Sequence, residues 1–304
     1  MLSSLLSVVL GLSVQPLDGE AWTPGPACQQ SSTHIEFIMG NVRSLRTQWD
    51  NLLDLKGDNP HNPTYYFVQE ACLSKEGATI FGNQLGKSWQ LYCGAPCLPQ
   101  TRRPGPTGPK PHAKPKAGPR HGAPNASIWR VKQGGVACVA PSGYLVFTNR
   151  GSHGETRALW ETTKWEHFAL STHAGDKLVH VINYYGVSNA SEDPLRFIEN
   201  ERNISAMLGH AESLGNVPVI ITADLNVDPA RSTNVFAACK NGRWVDLGAH
   251  YAGEHPPART YHVSTPYQGI TETGSTRIDV VLANQAAMLG LTTFEVLYGT
   301  GVPQ

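Results

Sequence analysis

Apolar residues along the chain gather into short runs, and the polar residues that end those runs recur at similar places. Residues 35–40 (IEFIMG) read as a strand ending at Asn41. Residues 44–56 carry Leu45, Trp49, Leu52 and Leu53 at helical spacing, and residues 65–69 (YYFVQ) return to a strand that ends at Glu70. Strand, helix, strand, each strand closed by a polar residue, places side chains at the rim of a sheet, where α/β proteins build their sites. Further strands are predicted over 134–140, 144–149, 165–172 and 177–186. A helix is expected over 194–214, with Leu195, Ile198, Ile204, Leu208 and Leu214 forming its apolar side. Residues 217–226 (VPVIITADLN) are almost continuously apolar, as in a strand buried on both faces. Residues 275–284 (STRIDVVLAN) read as the last strand. This order fits an α/β fold of two packed sheets flanked by helices better than a doubly wound parallel sheet.

Two segments break the pattern. Residues 1–33 read as a disordered leader or weakly signal-like segment. Their apolar run, residues 2–14, is too short to span a bilayer and lacks a positive flank. No membrane span is expected, and the protein is placed inside the cell, in nucleus or cytoplasm. Secretion, which would give meaning to the sequons at Asn125, Asn189 and Asn203, is the lesser reading. The second break, residues 94–133, is rich in Pro and Gly and carries only positive charge through PQTRRPGPTGPKPHAKPKAGPRHGAP. Such a stretch buries too little apolar surface to fold alone, and it reads as a disordered basic insertion able to touch a phosphate backbone. Residues 34–304 otherwise form one domain.

Composition narrows this modestly. Of the 304 residues 40% are hydrophobic and 16% charged, a globular balance. Net charge is zero, so affinity for a polyanion would come from local patches. The six cysteines are scattered, and Cys93 and Cys97 have no second Cys/His pair at zinc spacing, so the thiols are expected to be reduced.

Candidate chemistry begins with Asp224 and Asn226. At i and i+2 of a strand they point to the same side, and such a pair is costly to bury unpartnered. Strand-end turn chemistry, with Asp228-Pro229 following, is the plainer account of that pair alone. Asn41, Glu70, Tyr185 and Asp279 add further polar groups at the ends or interiors of apolar strands.

In this order the motifs resemble those of the endonuclease/exonuclease/phosphatase superfamily, which is DNase I-like. Asn41 stands in MGNVRSL, Gln69-Glu70 in YYFVQEA, Asp224-Leu225-Asn226 after Ala223, and Asp279 in TRIDVVL, with Thr260-Tyr261 upstream. The resemblance spans about residues 35–300. It implies a four-layer sandwich with two mostly antiparallel sheets, and Mg²⁺-dependent phosphodiester hydrolysis with Mn²⁺ as a substitute metal. Glu70 and Asn41 would serve the metal, Asp224 the attacking water, Asn226 and Tyr185 the phosphate, and Asp279 a histidine.

Two departures stand out. Ala223 replaces the usual glycine, and no histidine follows Asp279 before Gln304. The last strand, with its histidine, is therefore expected beyond the end of this sequence, and His153, His167, His180 and His262 offer no evident substitute. Tyr185, where the phosphatase and sphingomyelinase branches carry histidine, favours a DNA endonuclease. In style the chain resembles the endonuclease domain of a retrotransposon, implying a polyprotein with a reverse transcriptase. The alternatives are a phosphatase or phosphodiesterase on a small or lipid phosphate, and a catalytically dead remnant that binds nucleic acid.

Overall fold

The computed structural model describes residues 6–13, 34–42, 44–55, 63–97, 134–149, 154–171, 178–257, 260–262 and 275–298. The expected basic insertion therefore lies outside the described residues from position 98 onward, whereas Ala95 and Cys97 are buried.

Two six-stranded sheets form the centre of the molecule. The first is built from β1 (Leu6–Ser13), β2 (His34–Asn41), β3 (Thr64–Gln69), β4 (Trp89–Cys93), β5 (Val136–Pro141) and β14 (Leu291–Tyr298), in the order β14-β1-β2-β3-β5-β4. The second contains β6 (Val146–Asn149), β7 (Trp165–Ser171), β8 (Leu178–Tyr185), β9 (Val219–Asp224), β10 (Trp244–Asp246) and β13 (Asp279–Asn284), in the order β10-β13-β9-β8-β7-β6. A short ribbon pairs β11 (Tyr261–His262) with β12 (Ser275–Thr276). Only β2 with β3 and β8 with β9 run parallel among the described pairs, so both sheets are mostly antiparallel.

Strand parity sorts the side chains into layers. Phe37, Met39, Tyr65, Phe67, Cys138, Phe168, Leu170, Val179, Val181, Ile220 and Val281 fill the space between the sheets. The alternate residues Ile38, Tyr66, Val68, Ala137 and Val139 face outward, under α1 (Leu45–Leu53) and α2 (Lys75–Gln84). On the far side Ile182, Tyr184, Ile221, Ala223 and Leu282 meet α4 (Pro194–Ser213) and α5 (Thr233–Lys240), with α3 (Gly154–Glu161) beside them. Helix, sheet, sheet, helix is the four-layer sandwich expected. Two short helices, α6 (Leu247–Ala252) and α7 (Gln285–Met288), flank β10 and β13.

Three features differ from the sequence reading. Leu6–Ser13, expected inside a leader, forms β1 and pairs antiparallel with both β2 and β14. A strand, β14, follows the one read as last; Thr292, Thr293 and Glu295 dilute its apolar run, yet Phe294 and Val296 pack against the inter-sheet core. On α4, Leu195 and Ile198 are 78% and 48% exposed, while Asn200, Glu201, Ile204, Met207, Leu208 and Ala211 are buried. At roughly 100° per residue Leu195 stands about half a turn from Ile204, so the two cannot share a face.

Candidate active site

The inward rows of four strands turn polar at one end of the sandwich. On β2 the row Phe37, Met39 continues to Asn41; on β8 Val179 and Val181 lead to Asn183 and Tyr185; on β9 Ile220 leads to Thr222 and Asp224. β13 runs antiparallel to β9, so its row Ala283, Val281 arrives at Asp279, directly opposite Asp224. Glu70 follows β3 with a φ of 51°, and Asn226 follows β9 with a φ of 52°. Non-glycine residues hold this left-handed conformation at a cost, and it turns both side chains toward the cleft between the sheet ends.

Hydrogen bonds tie these residues together in small groups. Tyr185 Oη donates a short hydrogen bond to Glu70 Oε1. Asn41 Nδ2 donates to Asp224 Oδ2 at 2.7 Å, across the two sheets. The Asn226 amide N–H donates to Asp224 Oδ1 at 3.0 Å, and Asn226 Nδ2 to the Gly186 carbonyl at 3.2 Å. Thr260 Oγ1 accepts from the amides of Ile278 and Asp279, both at 3.0 Å, and so fixes the start of β13. All six residues singled out from the sequence thus meet at one rim: Asn41, Glu70, Tyr185, Asp224, Asn226 and Asp279.

The electrostatics follow from burial. Asp224 is 2% exposed, and burial raises its carboxyl from 3.8 to about 6, Glu70 adding to the rise and the Asn41 and Asn226 donors opposing it. Burial and then the facing Asp224 push Asp279 well above the carboxylate range, against the pull of Thr260 and Arg277. Burial and then Glu70 raise the Tyr185 phenol, which stays protonated and a donor at neutral pH. A buried and a part-buried carboxylate stand in register, with Glu70 nearby, so each ionised carboxylate disfavours the next.

Beneath this rim lies a polar bridge that sequence reasoning missed. Gln69 Nε2 donates to Asn183 Oδ1 at 2.6 Å and to Thr222 Oγ1 at 3.2 Å, while Asn183 Nδ2 reaches the Val68 carbonyl at 2.9 Å. The bridge ties the two sheets together just under the site. Its signal was available, because Asn183 and Thr222 lie two residues before Tyr185 and Asp224 on the same strand face. Asn200 of α4 was missed too; it accepts from Tyr184 Oη at 2.7 Å and the Val187 amide at 2.9 Å, and donates to the Leu225 carbonyl at 2.9 Å.

The histidines considered as substitutes lie elsewhere or outside the described residues. His167 and His180 form a chain with His210, at 2.8 Å and 3.0 Å. His180 precedes Tyr185 by five residues on β8, roughly 16 Å down the strand. His153 falls outside the described residues, and for His262 only the backbone is described. Cys72, Cys93, Cys97, Cys138 and Cys239 are free thiols, as expected, and Cys28 is outside the described residues.

Solved structures share this fold. The chain superposes on the AP endonuclease LMAP from Leishmania major with a TM-score of 0.55, covering 83% of this chain and 79% of that one at 12% identity. The fold is the DNase I-like four-layer sandwich that these solved nucleases share. The APE2 catalytic domain of Xenopus laevis matches with a TM-score of 0.52 at 16% identity, covering 82% of each chain. The 3'-5' exonuclease NExo of Neisseria meningitidis matches at 0.51 and 17% identity, covering 82% of this chain and 87% of that one. No family model matches the chain, and no curated protein does.

The donor set of this DNase I-like cleft is oxygen-rich and sparse. Among the described residues no group of three or more His, Cys, Asp or Glu could hold a metal ion. Glu70 offers its second oxygen, Oε2, which accepts no hydrogen bond among the described residues. A hard cation that keeps most of its water, as Mg²⁺ does, fits one carboxylate and an amide oxygen better than zinc would.

Proposed function

We propose that the protein hydrolyses phosphodiester bonds in DNA with the help of a bound Mg²⁺ ion, for which Mn²⁺ can substitute. The observation that carries this reading is the convergence of Asn41, Glu70, Tyr185, Asp224, Asn226 and Asp279 on one cleft of a DNase I-like sandwich, joined by the Tyr185–Glu70 and Asn41–Asp224 hydrogen bonds. Glu70 would hold the metal, with the Asn41 amide beside it. When bound, the metal supplies positive charge for the developing negative charge on the phosphate. Asp224 is the general base: its carboxyl, lifted toward neutrality, is fixed by two donors and faces the cleft. Asn226 donates to a phosphoryl oxygen, and the protonated Tyr185 does so once its hydroxyl turns from Glu70 to the phosphate. Asp279, its carboxyl raised by burial and by the facing Asp224, supports Asp224 from the neighbouring strand.

DNA is favoured over small phosphates by Tyr185 at the strand end, and the solved structures of similar fold include an AP endonuclease and a 3'-5' exonuclease. The test is a supercoiled-plasmid nicking assay with Mg²⁺ and with EDTA, repeated on a duplex holding an abasic site. Metal-dependent nicks lost in EDTA support the reading. Intact DNA alongside phosphate release from inositol phosphates would replace it with a phosphatase reading.

A further inference from the structure

Lys164 sits at the turn that opens β7, and its side chain reaches the end of β8. Its Nζ donates to the Gly186 carbonyl at 2.8 Å and lies 4.3 Å from the centre of the Tyr185 ring. Its own carbonyl accepts from the Tyr185 amide at 2.7 Å. The Gly186 carbonyl that takes the ammonium also takes Asn226 Nδ2 at 3.2 Å. Gly186 is itself wedged against the next strand: a Cβ there would fall on the Leu225 carbonyl group and 2.9 Å from the Asp224 carbonyl oxygen. One lysine therefore touches the backbone and ring of Tyr185 and shares an acceptor with Asn226.

Its charge has a second consequence. Burial lowers the pKa of the ammonium, Asp224, Glu199 and Glu70 oppose that shift, and Arg196 adds to it. Arg277, beside Asp279, pairs through one guanidinium nitrogen with Asp246. Arg196, also near, is half exposed and paired with Asp193 at 3.6 Å. Lys164 thus shares the field of Glu70, the carboxylate that would hold a divalent ion, and of Asp224 beside it.

We infer that Lys164 is a positioning residue of this site, which fixes Tyr185 and Asn226 through Gly186 and at the same time opposes the binding of a divalent cation near Glu70 and Asp224. The inference rests on the proposed metal-dependent reaction. Its two parts have opposite signs, which separates them from simple structural support. Loss of the clamp slows turnover, because a misplaced donor is costly in a reaction that depends on geometry. Loss of the charge tightens metal binding, because a fixed like charge has been removed.

The experiment is Mn²⁺ titration by isothermal calorimetry, paired with plasmid nicking, on the unaltered protein, Lys164→Met and Lys164→Arg, with thermal melts of each. Lys164→Met is expected to bind Mn²⁺ at least about threefold more tightly and to nick roughly tenfold more slowly at saturating metal. Lys164→Arg is expected to keep the original metal affinity. Unchanged or weaker Mn²⁺ binding by Lys164→Met, with an undiminished melting temperature, overturns the inference. If Lys164→Met melts early, Lys164→Gln is read in its place. A protein that binds Mn²⁺ but cleaves no DNA, with tighter binding in Lys164→Met, sinks the nuclease reading and leaves the charge effect of Lys164 standing. A protein that binds no Mn²⁺ overturns both.

Discussion

Asp224 and Asp279 face each other across β9 and β13, and this register makes the resting site costly to hold at neutral pH. Because burial lifts the folded-state carboxyl of Asp224 from 3.8 to about 6, the folded state binds that proton more tightly than the unfolded chain. Its contribution to stability is complete below pH 3.8 and is lost as pH rises through 6. Asp224→Asn removes the ionisation. In EDTA, that variant should melt at a higher temperature than the parent at pH 7.5, with the gap closing below about pH 4. A constant gap across a melting series in pH would place the raised carboxyl elsewhere. In the nicking assay, Glu70→Ala should abolish both metal binding and activity, whereas Asp224→Ala should lose activity and still bind Mn²⁺; full activity in both would refute the site. These six residues were legible in the sequence because each breaks an apolar run at a strand end. Lys164 was not, since a lysine beside a turn looks like any solvated charge, and only the fold brings it to the Gly186 carbonyl.

Elements were legible where burial is two-sided and failed where it is one-sided. The strands ending at Asn41, Glu70, Tyr185 and Asp224 carry runs of apolar residues facing both the inter-sheet core and a helix layer, and such runs announce themselves. By contrast α2 mixes Gly77, Gly82, Thr79 and Asn83 with one large buried residue, Phe81, and was not predicted. On α4 the existence of the helix was clear but its face was not. Leu195 and Ile198 lie near the N-terminus, where an apolar residue does not by itself say which way the core lies. Leu195→Ser and Ile198→Ser should each change stability by less than about 0.5 kcal/mol, whereas Ile204→Ala should cost about 2–5 kcal/mol. Chemical denaturation of the three variants checks the orientation directly. The bridge between the sheets makes a second prediction at this scale. Asn183→Leu removes one of the two acceptors of the Gln69 amide and the side-chain donor to the Val68 carbonyl, and should destabilise by about 1–3 kcal/mol, with activity reduced beyond what the loss of folded protein explains.

For the whole molecule, the unexpected element is β1. The sheet order β14-β1-β2 means that the early residues of the chain separate the late ones from the rest of the sheet. Leu6–Ser13 was unreadable as a strand because its partners lie nearly the full length of the chain away on one side and across residues 14–33 on the other. A protein lacking residues 1–13 should leave the edges of β2 and β14 unpaired and release Phe294 and Val296 from the core. Size-exclusion chromatography would then show association, and the melt would be lower than that of the intact chain; an unchanged monomer would mean that β1 is dispensable. The same pairing sets Leu6 opposite Tyr298 on adjacent strands. Residues 6 and 298 thus lie side by side, and the order in which the chain visits their strands is a matter of connectivity rather than of packing. A circular permutant that joins residue 298 to residue 6 by a short flexible linker and opens between residues 98 and 133 keeps every strand pair of both sheets, so it should fold to the same sandwich and carry the same cleft.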